Sequence, residues 1–269
     1  MAHQQVLEDL LAEQDALDAV VAPLEPEHWD LPTPAAGWTV AHQIAHLAYF
    51  DRAATRAIAD PPAFAAERDS LIEQVMAEPE AMDRITLAAY VDLDPGELLG
   101  SWRSARAELA EAAGGLDADQ RVEWYGPSMS PRSFLTARLM ETWAHGLDIV
   151  DALDTAGVDH VQTGTTDRLR HIAHLGVVTR GWSYVVRGRE PSPVEVRVEL
   201  VAPGGDTWTW GPGDAPDRVT GPAADFCAVV TQRRHLDDTE LVATGDAARE
   251  WMSIAQAFAG GPTEGPGPR

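Results

Sequence analysis

The sequence predicts an α+β protein in which a four-helix bundle is followed by a smaller α+β domain. Three observations carry this. Before about residue 155 the apolar residues recur at helical spacing in four long runs. After it, VEVRVEL (Val194 to Leu200) and TWTW (Thr207 to Trp210) alternate with a period of two. Between them, AGVDHVQTG breaks both patterns, so we place the bundle at 1–157, the α+β domain at 158–260 and a disordered GGPTEGPGPR tail at 261–269.

The first helix runs from Gln4 to Pro23, with Val6, Leu10, Leu17 and Val20 on one stripe, and Pro23 and Pro26 close it. After the loop PTPAAGWTV, Thr39 is the N-cap of a second helix, Val40 to Ala59, which Pro61-Pro62 ends. Residues 63–92 hold two weaker helical stretches with Pro79 between them. Asp94-Pro95-Gly96-Glu97 is a capping box with proline at the first helical position. The helix it opens carries Leu98, Trp102, Ala105 and Leu109 and stops at Gly114-Gly115. Ser130-Pro131 starts the longest helix, Pro131 to Leu153. In the second domain we expect a helix over Thr166–Arg187, strands at 194–200, 207–210 and 241–244 in a small antiparallel sheet, and helices over Pro222–Arg234 and Ala247–Ala259.

Composition narrows the function. The formal net charge is −23 and all 20 basic residues are arginine, a balance that repels nucleic-acid phosphates and anionic membrane surfaces. Apolar runs fall short of the ~20 residues a membrane span needs, and the acidic amphipathic start is unlike a secretory signal, so a cytoplasmic chain is expected. Cys227 is the single cysteine and sits in apolar DFCAVVT, which reads as a buried, inert thiol. Partners are then small molecules, with the chain a monomer or homodimer.

Chemistry points to two helices. His42 and His46 lie four apart on the second, and Glu141 and His145 on the last, so each pair projects two donors from one helical face about 6 Å apart. Bundles build metal sites by turning such residues inward from facing helices. Imidazole and carboxylate suit Zn²⁺ best, and also Fe²⁺ or Ni²⁺. The alternative for either pair is a solvated face, since such spacings arise often by chance. Glu141, His145 and Asp148 continue as one stripe, and Arg138 joins it three residues earlier.

The stretch GWTVAHQIAHLA resembles the loop–helix signature of the DinB-like superfamily, and more narrowly that of the mycothiol-dependent maleylpyruvate isomerase family. That family's last bundle helix carries Glu-xxx-His-Gly-x-Asp, which LMETWAHGLDIV matches. The second domain also resembles the family's accessory C-terminal domain. The resemblance implies that His46, Glu141 and His145 hold a divalent metal, Zn²⁺ foremost, and that mycothiol is the co-substrate. His42 stands where relatives commonly have Asp; it lines the site, packs, or closes the metal as a fourth ligand. Asp148 matches an acidic pocket residue, either orienting a ligand imidazole or serving as general base. Arg138 clamps a substrate carboxylate, neutralises Glu141, or makes a salt bridge on the helix rim. Arg233 falls where the family keeps a pocket arginine, with Arg234 as the other choice. Trp38, Trp124, Tyr125 and Trp143 either wall a pocket or belong to the core, and His171 and His174 are read as surface or core residues.

Three functions remain open on these grounds. One is a metal- and mycothiol-dependent isomerase or S-transferase acting on a small electrophile. The others are a thiol-independent metalloenzyme and a non-catalytic metal-binding protein associated with stress.

Overall fold

The computed structural model describes residues 2–78, 80–163 and 165–268. The chain divides into two compact units, Met1–Thr163 and Gly164–Arg269. Among the described residues no helix is long and apolar enough to cross a membrane.

In the first unit the bundle consists of α1 (Ala2–Val21), α2 (Val40–Ala59), α5 (Pro95–Gly114) and α6 (Pro131–Ala156), with α3 (Pro61–Ala77) and α4 (Ala81–Leu87) between α2 and α5. Helix α2 packs on α5 and α6, and α1 packs on both as well. Pro79, expected between the two weaker helices, lies outside the described residues. The helix starts follow from local chemistry. Asp94 Oδ1 accepts from the Glu97 N–H at 2.8 Å and Glu97 Oε2 accepts from the Asp94 N–H at 3.1 Å, closing the capping box of α5. Ser130 Oγ accepts from the Ser133 N–H at 3.2 Å to open α6. That helix runs three residues beyond Leu153, to where Gly157 adopts φ 68° and the Val158 N–H returns to the Leu153 carbonyl at 3.0 Å.

The largely apolar bundle interior holds a buried ion pair. Asp51 on α2 is fully buried. Its Oδ1 accepts from Arg138 Nε at 3.1 Å and Nη2 at 2.8 Å, on α6. Its Oδ2 accepts from Gln14 Nε2 on α1 and Trp102 Nε1 on α5, each at 3.3 Å. Burial pushes the Asp51 carboxyl up, and the Arg138 ion pair and the indole N–H pull against that. A second tie, nearer the surface, joins α1 to α5. Asp18 accepts from Arg103 Nε at 2.8 Å and Nη2 at 2.5 Å, and from Arg106 Nη2 at 2.8 Å.

The second unit holds α7 (Leu169–Val178), α8 (Arg180–Val185), β1 (Val196–Val201), β2 (Thr207–Trp210), β3 (Asp217–Pro222), α9 (Ala223–Val230), β4 (Val242–Thr244) and α10 (Asp246–Ile254). The helix expected over Thr166–Arg187 is therefore two. It breaks at Thr179 (φ −89°, ψ 8°), whose hydroxyl donates back to the Leu175 carbonyl at 2.7 Å. Gly176 lets α7 meet α9 closely, since a Cβ there would lie 2.8 Å from Val230 Cγ2.

The sheet order is β2-β1-β3-β4, and the expectation of an antiparallel sheet needs correction: β1 pairs with β3 in parallel. The reason is topological. After the β1–β2 hairpin the chain turns back and passes to the far edge of β1, so β3 runs opposite to β2 and with β1. Strand β3, DRVTGP, has too little alternation to announce itself. Helix α9 stops at Val230, short of Arg234, because Gln232 takes φ 58° and the Arg233 N–H closes onto the Ala228 carbonyl at 2.7 Å. Residues 261–268 form neither helix nor strand, yet the Thr263 carbonyl accepts from Gln232 Nε2 at 3.2 Å.

Two stability measurements follow. Removing one partner of the buried pair by Arg138→Met should cost about 3–5 kcal/mol in urea denaturation, because Asp51 is left charged and buried. Adding Asp51→Asn should recover part of that loss. Asp18 is the pH-dependent tie. The Arg103 hydrogen bonds, helped by the Arg106 charge, hold its carboxyl below the usual carboxylate range against the cost of burial. The folded chain thus binds fewer protons at Asp18 than the unfolded one. Its stabilising effect is complete above about pH 4 and lost as pH falls through the lowered pKa. Asp18→Asn should lower stability at neutral pH and flatten its decline in acid, measured by denaturation at several pH values.

Candidate metal centre

The sequence that opens α2 decides which histidine faces inward. Thr39 is the N-cap and His42 stands at the third helical position. His42 Nδ1 accepts from the Thr39 backbone N–H at 3.1 Å, with Thr39 Oγ1 2.9 Å away. It thus plays the part that Glu or Gln takes in most capping boxes. With Nδ1 spent as acceptor, the proton of the neutral ring sits on Nε2 and neither nitrogen offers a lone pair to a metal. The fourth-ligand reading of His42 is corrected on this ground.

One turn later His46 meets α6. His46 Nε2 lies 3.6 Å from Glu141 Oε2, and His145 Nε2 lies 3.2 Å from the same oxygen. Among the described residues these three form a group whose donor atoms all lie within 4.8 Å of one another. A tetrahedral ion with bonds of about 2.0–2.1 Å has donor–donor edges near 3.4 Å, so the two short separations fit such a centre. The side chains keep 18 %, 23 % and 9 % exposure for His46, Glu141 and His145, so the group is not sealed from solvent. Burial raises the Glu141 carboxyl, but hydrogen bonds and charge from His145 and His46 outweigh it and hold the group well below the usual carboxylate range. Zn²⁺, Fe²⁺ and Ni²⁺ all accept this two-imidazole, one-carboxylate donor set.

Reading the sequence missed Gln43. It is fully buried, and its Oε1 accepts from His145 Nδ1. That contact leaves Nε2 of His145 to face Glu141. The available signal was position: Gln43 adjoins Val40, Ile44 and Leu47 on the inward face of α2. Asp51 was missed in the same way, a lone acid on that apolar stripe.

Around the centre the rings are aromatic. Trp38 lies 5.3 Å from the His46 ring and 6.0 Å from His145, nearly parallel to the latter, and its Nε1 donates to Asp83 Oδ2 at 2.8 Å. Phe50 lies 4.5 Å from His46 and contacts Trp124 and Tyr125. Trp38 is thus a wall residue and Trp124 a buried one behind Phe50, while Trp143 is half-buried on α6.

The remaining expected site residues fall as follows. Arg138 does not pair with Glu141 and does not lie on a rim: its guanidinium is 3 % exposed and bound to Asp51. The carboxylate-clamp reading of Arg138 is corrected by that partnership. Asp148 is buried on α6, three residues past His145. Arg233 belongs to the second unit, in the turn after α9, where its Nη1 donates to the Thr231 carbonyl at 2.8 Å, and Arg234 Nη1 donates to the Arg233 carbonyl. His171 is half-buried, and His174 is exposed and accepts from Trp210 Nε1 at 3.2 Å. Cys227 is fully buried, as expected, and burial pushes its thiol up.

Two Mycobacterium tuberculosis proteins described as uncharacterised, Rv0036c of strain H37Rv and MT0041 of strain CDC 1551, are each 47 % identical over 257 residues, covering 96 % of this chain and 96 % of theirs. Crystal structures of the mycothiol-dependent maleylpyruvate isomerase and of a histidine-to-alanine mutant of it superpose with TM-scores of 0.56 and 0.57. They cover 90 % of this chain and 92 % of their own at 17 % identity, which establishes a shared fold. A family model described as wyosine base formation matches residues 193–244. The model described as the mycothiol maleylpyruvate isomerase N-terminal domain matches residues 10–150, more than half of the chain and the whole candidate centre, and the protein belongs to that family.

Proposed function

We propose that the chain is a divalent-metal enzyme that uses mycothiol to isomerise, or transfer the thiol to, a small electrophile. The observation that carries this reading is the convergence of His46, Glu141 and His145 from two helices onto one partly open spot. Three protein donors leave room for an exogenous ligand, the pattern of a catalytic rather than a structural site. Family membership and the shared fold support the choice of thiol. A bound divalent cation of this kind lowers the pKa of a thiol that reaches it, so that thiolate is present at neutral pH.

The chain's own residues do the rest. His46, Glu141 and His145 hold the ion, and before it binds the two imidazoles already favour the ionised Glu141 carboxylate. Trp38 and Phe50 flank His46 with apolar ring faces and limit water on the ligand side. Asp148, buried on the inward stripe of α6, serves as the general base or steadies a ligand imidazole. The resemblance alone makes Arg233 the candidate for a substrate carboxylate.

Metal analysis of the protein and its Glu141→Ala variant tests the centre: near-stoichiometric metal is expected in the first, with most of it lost in the second. Unchanged occupancy in the variant would sink the reading. Calorimetric titration of the Zn²⁺-loaded protein with mycothiol should give saturable heat that Glu141→Ala abolishes. Absence of heat in the loaded protein would favour the thiol-independent metalloenzyme instead. With a dicarboxylate substrate, Arg233→Met should raise KM about tenfold or more with little change in kcat if the guanidinium binds ground state and transition state alike.

A further inference from the structure

A run of hydrogen bonds connects the candidate ligand His145 to the loop that carries Trp38. His145 Nδ1 donates to Gln43 Oε1, Gln43 Nε2 donates to Thr33 Oγ1 at 2.9 Å, and Thr33 Oγ1 donates to the Trp38 carbonyl at 3.1 Å. Each member accepts from the one before and donates to the one after. With Nε2 of His145 given to a metal, Nδ1 carries the proton and the order runs one way: reversing the Gln43 amide would then set an NH₂ against an imidazole N–H. The Thr33 N–H also donates to the Trp38 carbonyl, at 2.8 Å, so the relay ends where the loop closes on itself. From that closure the Trp38 indole projects over the rings of His145 and His46 and reaches Asp83 on α4.

We propose that Gln43 is a positioning residue of the metal centre and that, through Thr33, it couples the seating of Trp38 to the orientation of His145. The proposal rests on the reading that His46, Glu141 and His145 bind a metal. Packing alone does not account for Gln43. An aliphatic side chain would fill the same space without the cost of burying a carboxamide, and here both ends of the carboxamide are used. An imidazole ring can rotate to present either nitrogen, and anchoring Nδ1 is what keeps Nε2 toward Glu141. Coupling is reciprocal, so whatever loosens the loop weakens the ligand.

The test measures Zn²⁺ affinity by competition with a chelating indicator on the full chain stripped of metal. Wild type and Glu141→Ala bracket the series. If wild type binds no Zn²⁺, the metal reading falls and takes this proposal with it; if wild type binds and Glu141→Ala does not, the relay is judged by itself. Gln43→Leu should weaken binding about tenfold to a hundredfold, the usual effect of losing such an outer partner. Gln43→Glu keeps an acceptor for Nδ1 but loses the donor to Thr33, so it should bind clearly more tightly than Gln43→Leu and about as well as Thr33→Val, a partial rescue that a purely packing role would not give. Thr33→Val, at a residue that touches no ligand, should weaken binding several-fold. The double variant Gln43→Leu/Thr33→Val should be no weaker than Gln43→Leu alone, because both break one relay. Binding by Gln43→Leu within about twofold of wild type, or losses that multiply in the double variant, would overturn the proposal. Should Gln43→Leu fail to fold, Thr33→Val decides, and an unchanged affinity there overturns it.

Discussion

One carboxylate ties the four bundle helices together. Asp51 takes hydrogen bonds from Gln14 on α1, Trp102 on α5 and Arg138 on α6, while itself belonging to α2. Burying that charge is expensive, and apolar packing alone could hold helices of these lengths. What the carboxylate adds is register. Apolar stripes tolerate a slide of one helix along another by part of a turn, whereas an ion pair with two N–H donors on one oxygen and two more on the other does not. A site assembled from two helices needs that intolerance.

The polar contacts between α2 and α6 form an ordered ladder. Gln43 meets His145, His46 meets both Glu141 and His145, and Asp51 meets Arg138. Residue numbers rise on one helix as they fall on the other, as antiparallel neighbours require. The candidate centre is the middle rung, with Gln43 fixing the ring on one side and the Asp51–Arg138 pair fixing the helix spacing on the other. This arrangement explains why ionisable residues occur in stretches that otherwise read as core. Only the middle rung keeps solvent contact, so it is where an exogenous ligand can enter.

Much of the fold was legible because it rests on local rules. The capping chemistry of Thr39, Asp94 and Ser130 marked three bundle helices at their starting residues. The alternation in VEVRVEL and TWTW marked two strands. What escaped was set by tertiary contact. Strand β3 exists because β1 offers it an edge, and the parallel pairing follows from a crossing that has no local signature. At the site, the spacing of Glu141 and His145 and their likeness to a family motif pointed to the group whose donor atoms converge. The partners of that group did not follow from spacing. Arg138 stands three residues before Glu141 and still belongs to Asp51, on another helix. Gln43 reads in sequence as an ordinary polar residue, and only α6 gives it a purpose.

The same logic bears on how many donors the centre has. His42 and His46 share a helix and an i, i+4 spacing, so sequence alone makes them equivalent. Position along the helix makes them different. The first turn of a helix has unpaired N–H groups, and the nearest acceptor satisfies them. His42 is that acceptor, so its ring is consumed by the helix end. His46 stands one turn further in, where backbone N–H groups are already paired within the helix and a side-chain nitrogen is left for tertiary use. An aspartate at the third position would satisfy the same N–H group and favour the helix dipole as well. Histidine there fills the cap without joining the candidate centre, whose converging donors are His46, Glu141 and His145.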